Sequence, residues 1–169
     1  MQLPDAHQLL ERLAGAIRAD LRPETCLVGI HTGGVWVARH LHRMLGLATP
    51  LGSVHVGFYR DDFKKKGLAA GVQPSDLTFE VEDAHIVLVD DVLYTGRTIR
   101  AAMNEIFDFG RPTSIRLAAL VDRGGRQLPI CPQYVGATLE VPREKLVQLR
   151  SDAQSGRLWL ELVERGDVA

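Results

Sequence analysis

At 169 residues, with 46% apolar and 24% charged side chains, the chain has the makeup of one folded domain and excludes intrinsic disorder. A chain of this length buries roughly 70% of its unfolded surface, so it needs no covalent staples. With 20 basic against 21 acidic residues the net charge is -1, which excludes any global pull toward nucleic acid or an anionic membrane. An anion site, if there is one, must be built locally.

Cys26 and Cys131 form neither a C-x-x-C pair nor a metal-like cluster. Their apolar neighbours read as buried, reduced thiols. The first twenty residues carry Asp5, Glu11 and Asp20 and lack the apolar core of a signal peptide. No run approaches the ~20 apolar residues of a membrane span. The cytosol is the expected location, and with no repeat, linker or low-complexity tract, residues 1–169 read as one domain.

In chain order, Asp5 with Gln8 three residues on reads as a capping box. It precedes a helix that turns Leu9, Leu10, Leu13, Ala14, Ile17 and Leu21 to one face. Cys26 to Ile30 reads as an apolar strand. It runs through Thr32-Gly33-Gly34 into a helix with Val35, Ala38, Leu41 and Leu45 inward and Gly46 as its stop. Val54, Val56 and Phe58 alternate with His55, Gly57 and Tyr59, the pattern of a half-exposed strand. Residues 60–75 are charged, then Gly-rich, and aperiodic, and a loop that long in one domain is usually functional. Ile86 to Val89 reads as a buried strand, followed by a helix through Ile99, Ala102, Met103, Ile106 and Phe107 that stops at Gly110 and Pro112. Ile115 to Val121 is a further buried strand, and Leu146–Arg150 with Leu158–Glu164 suggest a C-terminal hairpin. Strands alternating with helices predict an α/β fold, a mainly parallel sheet flanked by helices. Ligands of such sheets bind beyond the carboxyl ends of the strands.

The chemistry concentrates in Ile86-Val87-Leu88-Val89-Asp90-Asp91-Val92-Leu93-Tyr94-Thr95-Gly96-Arg97-Thr98. A buried strand delivers two acids to its end, and four residues later a Thr-Gly-Arg-Thr turn enters a helix. The first N–H groups of that helix have no partners within it, and its dipole favours an anion there. Gly96 admits a phosphate close to the backbone, and the Thr95 and Thr98 hydroxyls can donate to it. Carboxylates accept from ribose hydroxyls, so the spacing suits a ribose phosphate. Taken alone, paired acids are more often a solvated loop start, and Thr-Gly an ordinary helix entry. Together, behind a fully apolar strand, they point to a site. Neither G-x-x-x-x-G-K-[ST] nor G-x-G-x-x-G after the first strand is present. A phospho-acceptor pocket, the other use of an Asp pair, gives no reason for the turn.

The segment closely resembles the phosphoribosyl-diphosphate motif of type I phosphoribosyltransferases. With FYRDD at 58–62, DFGRP at 108–112, LVDRG at 120–124 and LPI at 128–130, the chain is similar to one subfamily over residues 5–163. That subfamily is the bifunctional pyrimidine operon attenuator and uracil phosphoribosyltransferase. The resemblance implies that residues 86–98 bind phosphoribosyl diphosphate, with Asp90 and Asp91 on the ribose hydroxyls and Thr95 to Thr98 on the 5-phosphate. It implies that Thr32, Gly33 and Gly34 contact the diphosphate, and that Val121, Asp122 and Arg123 sit where the base binds, largely by backbone contacts. Tyr59-Arg60-Asp61-Asp62 would begin a loop that closes over the substrate, bringing Arg60 to the reacting centre as a catalytic cation. Lys64, Lys65 and Lys66 are either part of that loop's charge or a solvated surface run. His31 borders the diphosphate loop and is a candidate contact.

Mg2+ is the implied cofactor, held mainly through substrate oxygens and water rather than by direct protein ligands. The implied partners are phosphoribosyl diphosphate and uracil, UMP or UTP as product or effector, and a second or further copy in a homodimer or homotetramer. A pyrimidine-operon mRNA leader is a further implied partner, expected here to bind weakly. The motif itself reads only the sugar phosphate, so a purine or orotate stays open to it; LVDRG and FYRDD favour uracil. Three departures from the subfamily stand out: Gly33 where many members carry Arg, Gly125 where many carry His, and Thr138-Leu139-Glu140-Val141-Pro142 in place of a different segment. His40 and His42, two apart on a helix, fall on different faces and make no metal pair.

Overall fold

In the computed structural model, which describes residues 1–57 and 74–166, helix α1 (Ala6–Ala19) opens on Asp5, whose Oδ1 accepts the Gln8 N–H at 3.0 Å. Such a cap contributes about 1 kcal/mol. Leu9, Leu10, Leu13 and Ile17 are each at most 1% exposed, and each buried aliphatic side chain contributes about 1.5–3 kcal/mol. Packing, more than capping, holds α1 in place.

Strand β1 (Cys26–Ile30) leads into α2 (Gly33–Leu45), which ends on Gly46 in the left-handed conformation, φ 62°. The edge strand β2 is Gly52–Val54, the central strand β3 is His85–Leu93, and α3 is Arg97–Phe107. β4 (Ser114–Asp122) and β5 (Tyr134–Thr138) complete a five-stranded sheet in the order β2-β1-β3-β4-β5. Every pairing in it is parallel. β6 (Lys145–Ser151) and β7 (Leu158–Glu164) form a separate antiparallel hairpin. α1 and α2 pack with Val87, Val89 and Leu120 on one face of the sheet; α3 packs with Ile86, Leu88 and Ala119 on the other. The expected parallel α/β sheet with helices on both faces is what the chain forms. Among the described residues no helix is long and apolar enough to cross a membrane.

Four local expectations change. The alternating strand expected across Val54 to Tyr59 is instead Gly52–Val54. β1, its partner in the sheet, ends at Ile30, and the last link across is His31 N–H to Val54 O at 3.0 Å; on the other edge Ser53 makes an isolated antiparallel bridge to Asp76. Phe58 and Tyr59 lie outside the described residues, as do Arg60, Asp61, Asp62, Lys64, Lys65 and Lys66. β3 runs four residues past Val89, because β4 continues to pair with it out to Leu93 and Asp122. β5 had no sequence signal: it is a five-residue edge strand whose Gly136 lets α1 approach, since a Cβ there would stand 2.4 Å from Leu120 O and 3.2 Å from Leu9 Cβ. Cys26 is buried as expected, but Cys131 is exposed. Its apolar neighbours lie in the 128–132 turn, which contributes only partly buried Ile130 to the core. Of the tryptophans, Trp36 is partly buried against the core and Trp159 stands 43% exposed on β7.

Candidate active site

Close backbone packing shapes the first wall of the site. α2 starts directly against β1 and β3: a Cβ on Gly29 would lie 2.7 Å from Val35 Cα, and one on Gly34 would lie 2.4 Å from Val89 O. Only glycines permit that approach. The His31–Thr32 peptide, just before α2, is cis. Gly33 differs from Gly34, because a Cβ there would meet the Asp91 side chain, with Oδ2 at 2.3 Å. The space beside Gly33 is taken by the Asp91 carboxylate.

The extension of β3 separates the two acids. Side chains alternate along a strand, so Asp90 continues the α3 side of Ile86 and Leu88, while Asp91 faces Gly33 and α2. Asp90 is 6% exposed, and its Oδ1 accepts the Asp91 N–H at 3.0 Å. Asp91 lines a cavity of about 310 Å3 together with His31, Thr32, Gly33, Trp36, His55 and Gly57. The fourth wall is Val147, Gln148 and Leu149 of β6. Thr32, Gly33 and Asp91 thus meet in one cavity, which Asp90, Thr95 to Thr98 and Val121 to Arg123 do not line. His55 and the hairpin wall carry no sequence motif, and only their position in the fold reveals them.

Ile86, Val87, Leu88 and Val89 are at most 4% exposed; they aim the residues that follow them. Beyond β3, Gly96 caps α3 at φ 91°, a conformation glycine tolerates, and a Cβ there would come within 3.0 Å of Ile130. Thr95 Oγ1 accepts the Arg97 N–H at 3.2 Å, and Thr95 O accepts from Gln127 and Leu128 N–H at 2.9 and 3.2 Å. No side chain of the cap residue hydrogen-bonds into α3. The Arg97 N–H is thus taken by Thr95, and the N–H groups of Thr98 and Ile99 lie in the first turn, where helix geometry supplies no partner.

At the end of β4 the Asp122 carboxylate is fully engaged within the protein. Oδ1 accepts the Gly124 N–H at 2.9 Å, and Oδ2 pairs with Arg126 at 2.5 Å. Arg126 also donates to Tyr94 O at 2.8 Å and to Ile130 O at 3.0 Å. Its only sequence trace is a spacing of four from Asp122. Arg123 is buried; its guanidinium lies 4.1 Å from the Tyr94 ring centroid and donates to Lys145 O at 3.1 Å, tying β4 to the hairpin. Burial lowers its pKa, from so high a starting value that it stays charged. The Arg123 N–H donates to Leu93 O, and Asp122 O accepts from Leu139 N–H. A Cβ on Gly125, φ 76°, would stand 2.3 Å from the Tyr94 ring. His40 and His42 bond to the Trp36 and Thr49 carbonyls, respectively.

Residues 2–144 match the family model described as the phosphoribosyl transferase domain. The chain is 53% identical over 155 residues to the Bifunctional protein PyrR of Pseudomonas aeruginosa, covering 88% of this chain and 90% of that protein. It is 49% identical to the Bifunctional protein PyrR of Pseudomonas putida, covering 100% of this chain and 97% of that one. Among solved structures, a hypoxanthine-guanine phosphoribosyltransferase from Bacillus anthracis superposes with a TM-score of 0.66 at 19% identity, over 83% of this chain and 84% of that one. The hypoxanthine phosphoribosyltransferase of Trypanosoma cruzi gives 0.61 at 22% identity, over 81% and 80%. At that identity the two structures speak for the fold alone.

Proposed function

The chain belongs to the phosphoribosyl transferase family, and from that premise we propose that it is a uracil phosphoribosyltransferase. It transfers ribose 5-phosphate from phosphoribosyl diphosphate to uracil, forming UMP and releasing diphosphate. The observation that carries this reading is the meeting of Asp91 with Thr32 and Gly33 in one cavity, at the end of the strand whose following turn enters α3.

In this reading the first N–H groups of α3, with the Thr95 and Thr98 hydroxyls, hold the 5-phosphate. The Asp91 carboxylate accepts from a ribose hydroxyl, and buried Asp90 holds the Asp91 backbone in position. The diphosphate lies on the Thr32–Gly33 side. The base sits over the end of β4 at Val121 to Arg123, where a ring nitrogen of uracil attacks C1 as the bond from C1 to the diphosphate oxygen breaks, and the proton of that nitrogen passes to the released diphosphate or to water. Fixing both reactants on rigid strand ends supplies the orientation that the step needs. Among the described residues no three His, Cys, Asp or Glu side chains converge on one metal position. Mg2+ carried mainly on substrate oxygens and water would supply positive charge against the leaving diphosphate. The proposed setting is the cytoplasm, as a homodimer or homotetramer, with Arg60 completing the site from outside the described residues.

The name of the Pseudomonas relatives, "Bifunctional protein", motivates a second role, binding a pyrimidine-operon mRNA leader under control of UMP or UTP. Arg126 and Arg123 are tied into the fold, so they offer little free charge to an RNA backbone.

The test is a panel of radiolabelled bases with phosphoribosyl diphosphate and Mg2+. UMP from uracil is the expected dominant product; faster turnover of hypoxanthine, adenine or orotate would overturn the choice of base.

A further inference from the structure

We infer that His31 and His55 together form the diphosphate-facing wall of the cavity, His55 as a hydrogen-bond donor and His31 as the group that takes up a proton when diphosphate binds. This rests on the proposed use of the Thr32–Gly33 loop for diphosphate.

Two strands converge here. His31 follows the end of β1 and His55 follows the end of β2, and both line the cavity with their ring centroids 6.1 Å apart. The Gly57 N–H donates to His55 Nδ1 at 3.2 Å, so the proton of the neutral ring sits on Nε2. Gly57 also keeps the ring in place, since a Cβ there would stand 2.3 Å from His55 Cε1. With Nδ1 accepting from Gly57, Nε2 is the ring nitrogen left to donate into the cavity.

No such bond fixes His31. Among the described residues, the titratable groups around it are His55 beyond β2, Arg39 on α2 and Asp91 on β3, while β6 contributes neutral Gln148. Burial, with His55 and Arg39 beside it, holds the His31 pKa below its ordinary value. In the empty cavity the ring is therefore neutral at pH 7. A diphosphate within reach reverses the balance, because opposite charge favours the imidazolium. Gly33 brings no cation to this wall, and Arg39 lies on the exposed side of α2. Uptake of a proton by His31 supplies the charge that the loop otherwise lacks, only when the anion is present. The sign follows from linkage: the gain in affinity is full below the pKa of the free protein, declines as pH rises above it, and is lost once pH passes the higher pKa of the bound state.

The test uses calorimetric titration of the full chain with Mg2+-diphosphate and, separately, with UMP, which has no group for this wall. Titrations run at pH 6.5 and 8.0 on the unaltered protein, His31→Gln, His55→Leu and His55→Gln. Ionisation of the ligand is common to all four and cancels in the comparison. Between the two pH values the unaltered protein should lose about tenfold more diphosphate affinity than His31→Gln, since one linked proton changes affinity by up to tenfold per pH unit. His55→Leu should weaken diphosphate binding at both pH values, and His55→Gln, which keeps an N–H donor, should restore most of it. UMP should bind all four proteins within about twofold, an expectation set by leaving the phosphate turn untouched. Equal pH dependence in His31→Gln and the unaltered protein overturns the inference, as does parallel loss of UMP and diphosphate binding in the variants. In either case UMP binding by the unaltered protein leaves the proposed function standing. If the unaltered protein binds neither ligand, both fall together.

Discussion

Arg126 holds the Asp122 carboxylate at 2.5 Å while donating to the Tyr94 carbonyl at 2.8 Å, so one side chain joins the end of β4 to the turn that follows β3. Both partners of the ion pair are mostly buried, at 23% and 14% side-chain exposure. Arg126→Ala leaves the carboxylate and two carbonyls without this donor. The expected loss is about 2–3 kcal/mol, the scale of a charge-assisted bond whose partner stays behind. At roughly 2–4 °C per kcal/mol for a chain of this size, calorimetry should record a melting temperature lower by about 4–12 °C. Arg126→Lys should recover only part of it, because an ammonium cannot span the three acceptors in the same fork. An unshifted melting curve would remove Arg126 from this role.

Asp91→Asn should leave the fold intact and lower kcat/KM by about 10- to 150-fold, the equivalent of one charge-assisted hydrogen bond of about 1.5–3 kcal/mol. Steady-state kinetics with phosphoribosyl diphosphate as the varied substrate decides it. Unchanged kinetics in a well-folded variant would mean that the carboxylate does not meet the ribose.

Gly33 and Gly34 are adjacent but should respond differently to alanine. At Gly34 the new Cβ meets the Val89 carbonyl at 2.4 Å, and backbone on both sides has to move; overpacking of this kind costs about 3 kcal/mol or more. At Gly33 it meets only the movable Asp91 carboxylate. Urea titration should therefore show Gly34→Ala strongly destabilised and Gly33→Ala close to the unaltered protein, with the effect of Gly33→Ala appearing in kcat/KM instead.

The turn between β6 and β7 should be sensitive to acid. The Asp152 carboxyl is held below its ordinary range by the Ser155 N–H and hydroxyl, with the Gln154 N–H adding to them. Because the folded state lowers this pKa, its contribution is fully present above the ordinary carboxylate range and is lost as pH falls below that range through the lowered pKa of the folded state. Hydrogen exchange at β6 and β7 should accelerate below about pH 4, the region of a free carboxyl. Asp152→Asn should abolish that acceleration.

RNA binding is expected to be weak and to disappear between about 50 and 200 mM salt, since each lost phosphate contact lowers affinity through counterion release. The net charge is -1, Arg126 is consumed internally, and the Tyr94 ring fills the place of a side chain at Gly125. Gel shifts with a pyrimidine-operon leader and an unrelated hairpin at both salt concentrations test this. Tight, UMP-enhanced binding to the leader at the higher concentration would show that the regulatory role is retained.

The sheet could be read from the sequence because its strands are buried on both faces and therefore appear as unbroken apolar runs between helical periods. Cys26 to Ile30 and the run from Ile86 both show this, and the Asp-Asp and Thr-Gly-Arg-Thr elements of the site are contiguous in the chain. β5 could not be read: Tyr134 to Thr138 is short and half-buried, and becomes a strand only because β4 offers it an edge.

What the sequence determined by itself was local: the helical faces, the Gly46 stop, the Asp5 cap, and the order of acid pair, turn and helix on which the proposed ribose-phosphate site rests. What only the tertiary structure decided was which distant residues meet. Continued pairing with β4 carried β3 past Asp90 and Asp91 and turned the two acids to opposite faces. Strand order set His55 beside His31, and docking of the hairpin brought Val147 to Leu149 over the cavity. The physical reason is that periodicity and turn chemistry act over a few residues. The cavity, by contrast, exists only where the ends of β1, β2 and β3 are aligned by hydrogen bonds between segments far apart in the chain.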